Sequence, residues 1–319
     1  MKILRSLVLS LGVASVCNVT ACDVGCIDDG SGVRCTGKSL KEFLGQRSAP
    51  QAFDRAPGSA LTIDVIYGNV LLDRSASGKL EVEFAPFVYA GHDEDAAARQ
   101  MLTTNLQTTA NAGTVTVARQ GGSNGLGADV IVRIPDTFDG PLTVINRGDG
   151  PLNHFDLKIQ SVGKASTLAV TNQSILGGCW VQGAPTVKNT IVSCGDGVSV
   201  FDVADKVDIT NRDDDHDDQN PAVTVRLAGV SPGGGGRISS TSGAVAVTFP
   251  KGGYVVKASS PVRGTVREGA LPAGCTKTEA SPANKTITCG TGPVYDVSAG
   301  TKPDYIGQPK DSDVNLSWL

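Results

Sequence analysis

Five aspartates fall within seven residues at Arg212-Asp213-Asp214-Asp215-His216-Asp217-Asp218, and carboxylate oxygens at that density are the ligands a calcium ion takes. Asp213, Asp215 and Asp217 alternate along the run and are the candidate metal ligands. The run lacks both the mid-loop glycine and the closing bidentate glutamate of a helix–loop–helix calcium site, so a solvated acidic loop is the plainer expectation. Gly32-Val33-Arg34-Cys35-Thr36-Gly37-Lys38-Ser39 satisfies the phosphate-loop pattern, in which backbone amides and a lysine hold phosphates. That chemistry needs a buried strand before the loop and a crossover helix after it, and neither pattern is present. Arg147-Gly148-Asp149 is a tripeptide that some cell-surface receptors read, but a glycine at a turn explains it as well. His92, His154 and His216 lie in separate segments, none with a second ligand at metal spacing. No reactive-cysteine signature is present, and no catalytic residue is assigned. A non-enzymatic chain is expected, without a cofactor unless the acidic loop takes Ca²⁺.

The cysteines carry a different chemistry. Met1-Lys2-Ile3-Leu4-Arg5 and the apolar run to Val19 read as a signal peptide over residues 1–21. Val19-Thr20-Ala21-Cys22 resembles the bacterial lipobox, in which the cysteine is acylated and becomes the mature N-terminus. Parity supports it: of eight cysteines, Cys17 leaves with the signal and Cys22 takes the lipid. The remaining six form three local groups, Cys26 with Cys35, Cys179 with Cys194, and Cys275 with Cys289. Even numbers suit an oxidising compartment, although parity by itself leaves the connectivity open. An exported chain anchored by Cys22 to the bacterial cell membrane or outer membrane is expected.

The elements that must position these groups are short and turn-rich. Of 319 residues, 40% are apolar and only 5% aromatic, with 39 glycines. Such a chain can fill a core, which excludes disorder. A net charge of −4 without a basic block excludes nucleic-acid binding by bulk charge. Residues 22–60 are rich in Gly, Ser, Asp and Pro and read as a tether with a small Cys26–Cys35 loop and a weak helical stretch at Leu40-Lys41-Glu42-Phe43-Leu44. From Leu61 the period becomes two: Leu80, Val82 and Phe84 alternate with Lys79, Glu81 and Glu83. Asp93–Leu106 is the one convincing helix, with Ala98, Met101, Leu102 and Leu106 on one face.

Beyond Pro135 a loose repeat appears. Leu142–Asn146, Leu168–Asn172 and Val207–Asn211 are apolar strands ending in a small polar residue, with degenerate copies at Ile191–Gly195, Ile238–Gly243 and Val255–Ser259. Such a unit cannot bury its apolar face alone, so stacked copies must share one core. Ala128-Asp129-Val130-Ile131-Val132-Arg133-Ile134-Pro135, followed by Gly140-Pro141-Leu142-Thr143-Val144, resembles the bacterial putative-adhesin family of β-solenoid domains, as does Arg237–Pro250. The resemblance covers roughly residues 61–265 and implies an envelope-exposed solenoid, with no invariant catalytic residue to transfer. The fold expected is all-β: a single-domain, right-handed parallel β-helix-like solenoid over 61–289, one short helix near its N-terminal end, and a cap or tail over 290–319.

Two kinds of role compete. One is a lipid-tethered adhesin-like scaffold whose partner is the membrane through its lipid and an envelope or surface component, such as a glycan. The other is a carbohydrate-active parallel β-helix that uses acidic residues with Ca²⁺ to bind or cleave anionic polysaccharide. It needs Asp with Lys or Arg, such as Arg133, Lys158 and Arg212, gathered on one face. A cation-binding envelope module built on the acidic loop is a third reading.

Overall fold

Strand after strand carries the period-two burial that its residue types dictate. In Leu142-Thr143-Val144-Ile145-Asn146, Leu142, Val144 and Asn146 are buried while Thr143 and Ile145 are partly open; Leu61–Val65, Leu168–Asn172 and Val245–Phe249 repeat the pattern. The computed structural model describes residues 25–28, 33–36, 40–91, 95–120, 125–150, 154–212, 222–261, 264–300 and 312–319. The signal peptide, Cys22, the acidic loop with Asp213, Asp215 and Asp217, and the residues His92 and His216 lie outside them.

The N-terminal part begins with an antiparallel pair, β1 (Gly25–Asp28) and β2 (Val33–Thr36), which places Cys26 opposite Cys35 in backbone register. β3 (Leu40–Leu44) and β4 (Gln51–Phe53) follow, then β5 (Leu61–Val65), β6 (Val70–Arg74) and the long β7 (Leu80–Gly91). Helix α1 (Asp95–Thr104) lies within the span expected for it and leads to β8 (Leu106–Ala110), β9 (Thr114–Arg119) and β10 (Leu126–Ile134). Its Ala98, Met101 and Leu102 pack with Phe43, Val88 and Leu126.

From here strands alternate between two sheets. β11 (Leu142–Asn146), β13 (Leu168–Asn172), β15 (Asn189–Cys194), β17 (Lys206–Asn211) and β19 (Gly235–Ser240) join β5 and β9 in parallel. β12 (Leu157–Ile159), β14 (Cys179–Gln182), β16 (Val198–Val203), β18 (Val223–Leu227) and β20 (Val245–Phe249) join β6 and β10 in parallel in the other sheet. The latter is called the first sheet below and the former the second; each has twelve strands. All six repeat copies identified in the sequence fall in the second sheet, since Val255–Ser259 lies in β21 (Tyr254–Ser259).

The C-terminal part departs from chain order. β22 (Val266–Glu268) and the hairpin β23 (Cys275–Ser281)–β24 (Asn284–Cys289) precede β25 (Val294–Ser298) and β26 (Val314–Trp318). β25 inserts between β19 and β21, and β26 between β20 and β22, all in parallel. The segment assigned to a cap or tail therefore supplies an interior strand to each sheet.

Two expectations need correcting. The sheets are mixed rather than purely parallel: β7 runs antiparallel to β10, β3 and β4, β8 to β9, and β24 to both β21 and β23. Antiparallel pairs gather at the ends of the sheets, where a hairpin can close what a repeat leaves open. Leu40–Leu44 is a strand on β7, not a helix, because pairing with Phe87–Gly91 outweighs a five-residue helical spacing. The composition-defined tether thus contains two strands, β3 and β4, that pair with β7.

Between the sheets lies one aliphatic core, from Leu61 and Val82 at one end to Val256 and Val314 at the other. At the corners after the second-sheet strands, Asn146, Asn172 and Asn211 are buried, and Asn146 faces Asn172 in register. The Asn172 amide donates to the carbonyls of Phe155 (2.8 Å) and Gly177 (3.0 Å), while Asn146 donates to Gly68 (2.8 Å). These side chains satisfy carbonyls that a sharp corner takes out of the ladder. Cys179 on β14 and Cys194 on β15 are disulfide-bonded across the core (Cα–Cα 6.1 Å), and Cys275–Cys289 bridges the β23–β24 hairpin (Cα–Cα 4.2 Å).

Candidate functional site

The first sheet's outer face carries what the core does not use. Alternation turns Leu157, Ile159, Cys179, Val181, Val198, Val200, Val223 and Val225 inward. The intervening positions, Lys158 on β12, Trp180 and Gln182 on β14, Phe201 on β16 and Arg226 on β18, face away from the core. Register sets Lys158 beside Trp180, Gln182 beside Phe201 and Phe201 beside Arg226. The Trp180 and Phe201 rings, diagonal neighbours on adjacent strands, lie 5.9 Å apart at 49°. Lys158 Nζ is 5.9 Å from the Trp180 ring centre, and the Arg226 guanidinium 5.5 Å from that of Phe201.

A β-bulge completes the strip. The register of β16 against β18 shifts between Phe201 and Val203, and Asp202 takes a left-handed φ of 57°. Its carboxylate receives Arg226 Nε at 2.9 Å, Arg226 Nη2 at 2.8 Å and Gln182 Nε2 at 2.6 Å. The Arg226 hydrogen bond, with that of Gln182, holds the Asp202 carboxyl below its ordinary pKa against a burial effect of opposite sign. Lys158 has no carboxylate partner among the described residues. Two aromatic faces, an Arg–Asp clamp, an amide and a lysine thus share one outer surface.

Elsewhere, the groups singled out in the sequence serve structure. Arg147 is bidentate on Asp64 (2.8 and 2.7 Å) and Asp149 pairs with Arg119 at 2.7 Å, so both charges of Arg147-Gly148-Asp149 are engaged. Gly148 has φ 59° and its missing Cβ would stand 2.5 Å from the Ser174 amide, a corner only glycine can turn. Arg133 and Lys158 both face outward from the first sheet, two strands apart, whereas Arg212 belongs to the second sheet. Arg133 faces Glu81 and Glu83 at 3.8 and 3.6 Å, and Arg212 donates to the Asn172 carbonyl at a second-sheet corner. Val33–Thr36 of the phosphate-loop match is a strand, and the rest of that match lies outside the described residues. His154 is exposed at the approach to β12. Among the described residues no group of three or more His, Cys, Asp or Glu side chains could hold a metal ion.

A partly buried polar chain runs from Asp129 of β10 through the corners that precede β6, β12 and β14. Asp129 accepts the Asn69 amide (2.9 Å), the Asn69 side chain accepts the Asp156 amide (2.9 Å), and Asp156 accepts the Gly178 amide (2.9 Å). Sequence reading missed both this chain and the aromatic strip. Trp180 and Phe201 stand 21 positions apart, and only the pairing of β14 with β16 makes them neighbours.

The fold and this surface define an all-β protein of two long mixed sheets enclosing an aliphatic core. No protein-family model and no curated protein matches the chain. Two solved structures are similar to it. A putative cell adhesion protein from Clostridium sporogenes aligns at 12% identity and a TM-score of 0.28, over 88% of this chain and 100% of that one. A putative adhesin from Bacteroides fragilis aligns at 12% identity and a TM-score of 0.31, over 88% and 97%.

Proposed function

We propose that the chain is an exported, lipid-anchored β-solenoid that adheres or scaffolds through the outer face of its first sheet and performs no catalysis. The observation that carries this reading is the Lys158–Trp180–Phe201–Arg226 strip, an aromatic and cationic surface outside the core. The alternation of strands between two sheets, with parallel neighbours in each, supports a solenoid path. Two disulfides suit an oxidising compartment, and the lipobox at Cys22 supplies the tether.

The full chain carrying Cys22→Ser, applied to immobilised glycans and isolated bacterial envelopes, is expected to bind without releasing product. Trp180→Ala/Phe201→Ala, with an unchanged melting temperature, should weaken that binding at least tenfold. Release of cleaved saccharide would establish the lyase reading instead, and binding unaffected by the double substitution would remove the strip as its basis. Cells fed a clickable fatty acid should label the wild-type chain but not Cys22→Ser; label on both overturns the anchor at Cys22.

A further inference from the structure

The same strip specifies a ligand class, an inference that rests on the adhesive reading above. We infer that the strip binds a carboxylated glycan, with Trp180 and Phe201 as stacking platforms for the sugar ring and Lys158 as the partner of its carboxylate.

The two rings add nothing to the aliphatic core, which the inward positions of the same strands already fill. Their neighbours on the outer face are Ser199, Thr224 and Gln182, side chains that meet hydroxyl groups rather than an apolar protein surface. A pyranose presents both parts that such ground fits: a C–H face for an aromatic ring and hydroxyls around its rim. A protein partner draws on a wider apolar centre shielded from water, which this strip lacks.

Charge selects among sugars. The chain as a whole is acidic at −4, yet the strip sets two cations against one carboxylate. Arg226 is held in two hydrogen bonds by Asp202 and cannot turn to a ligand without abandoning them. Lys158, over Trp180 and without a carboxylate partner among the described residues, can swing aside as a ring docks and close on its carboxylate. The Asp202 bulge adds an independent sign. A left-handed non-glycine residue stands where its carboxylate fixes both Arg226 and the Gln182 amide, leaving the Gln182 carbonyl for a sugar hydroxyl.

The test titrates the full chain carrying Cys22→Ser with oligogalacturonate, alginate oligomers and hyaluronan, each beside its carboxyl-reduced form, by calorimetry and tryptophan fluorescence. At least one acidic polymer should bind, with its reduced counterpart at least tenfold weaker. Lys158→Met should lose a similar factor and Lys158→Arg should retain affinity. Trp180→Ala should lose binding, and Trp180→Phe, which keeps a ring and guards against misfolding, should fall between. Equal affinity for acid and reduced forms, undiminished affinity in Lys158→Met, or binding to none of the acidic polymers overturns the carboxylate assignment. If neutral glycans still bind the strip in that case, adhesion survives and only the ligand class falls. A folded Trp180→Ala that binds like the wild type overturns the site itself.

Discussion

The Asp156 carboxyl accepts the Gly178 amide at the corner before β14, yet burial pushes its pKa up, and the Asp196 carboxylate adds to that. The amide hydrogen bond and His154 oppose the shift without cancelling it. An acid whose folded pKa is raised favours the protonated form, so its penalty is absent below the unfolded value of about 4 and full above the folded value. Asp156→Asn keeps an oxygen for the Gly178 amide and removes the charge. It is expected to raise the melting temperature at pH 7, with the gain fading to nothing by about pH 3. A gain that persists in acid would mean that ionisation was not its cause. Asp202 has the opposite sign: its depressed pKa lends stability at neutral pH that is lost as pH falls through the folded value. Sequence spacing revealed neither effect. Asp156 is partnered by a residue 22 positions away, and Asp202 by one 24 positions away.

At the scale of elements, α1 was legible because its apolar residues repeat at helical spacing, and the repeated second-sheet strands because they are short apolar runs closed by small polar residues. Two first-sheet strands, β12 and β14, were harder to see than β7. β12 has three residues and β14 four, too few to display a period. The helical reading of Leu40–Leu44 failed for a related reason: five residues hold no helix without tertiary support, and β7 offered a ladder instead. The Cys179–Cys194 bond joins strands of opposite sheets across 15 positions. Closing a loop of that size is worth about 3 kcal/mol, so Cys179→Ser/Cys194→Ser should lower the denaturation free energy by roughly that amount. Urea unfolding under non-reducing conditions measures it; a loss below about 1 kcal/mol would show that the bond constrains little.

On the scale of the whole molecule, the last strands complete a gap left earlier in the chain. β21 and β22 are built one strand away from β19 and β20, and β25 and β26 fill the spaces between. Val314 and Leu316 of β26 are 0% and 3% exposed. Burial of each is worth about 1.5–3 kcal/mol, so a chain ending at residue 311 should lose about 3–6 kcal/mol and leave β20 and β22 with free edges. Size-exclusion chromatography should then show self-association, reversed by a synthetic peptide of residues 312–319. A truncated chain that stays monomeric and melts as the full chain does would show β26 to be dispensable.

The sequence by itself determined the all-β character, the α1 helix and the repeat that lies in one sheet. These depend on local residue order, periodicity and turn chemistry, which neighbouring residues set. Tertiary structure decided the mixed sheets, the out-of-order insertion of β25 and β26, the capture of Arg147 and Asp149 in ion pairs, and the strip of Lys158, Trp180, Phe201 and Arg226. Each depends on which strands lie side by side, and ladder hydrogen bonds join residues without regard to their distance along the chain.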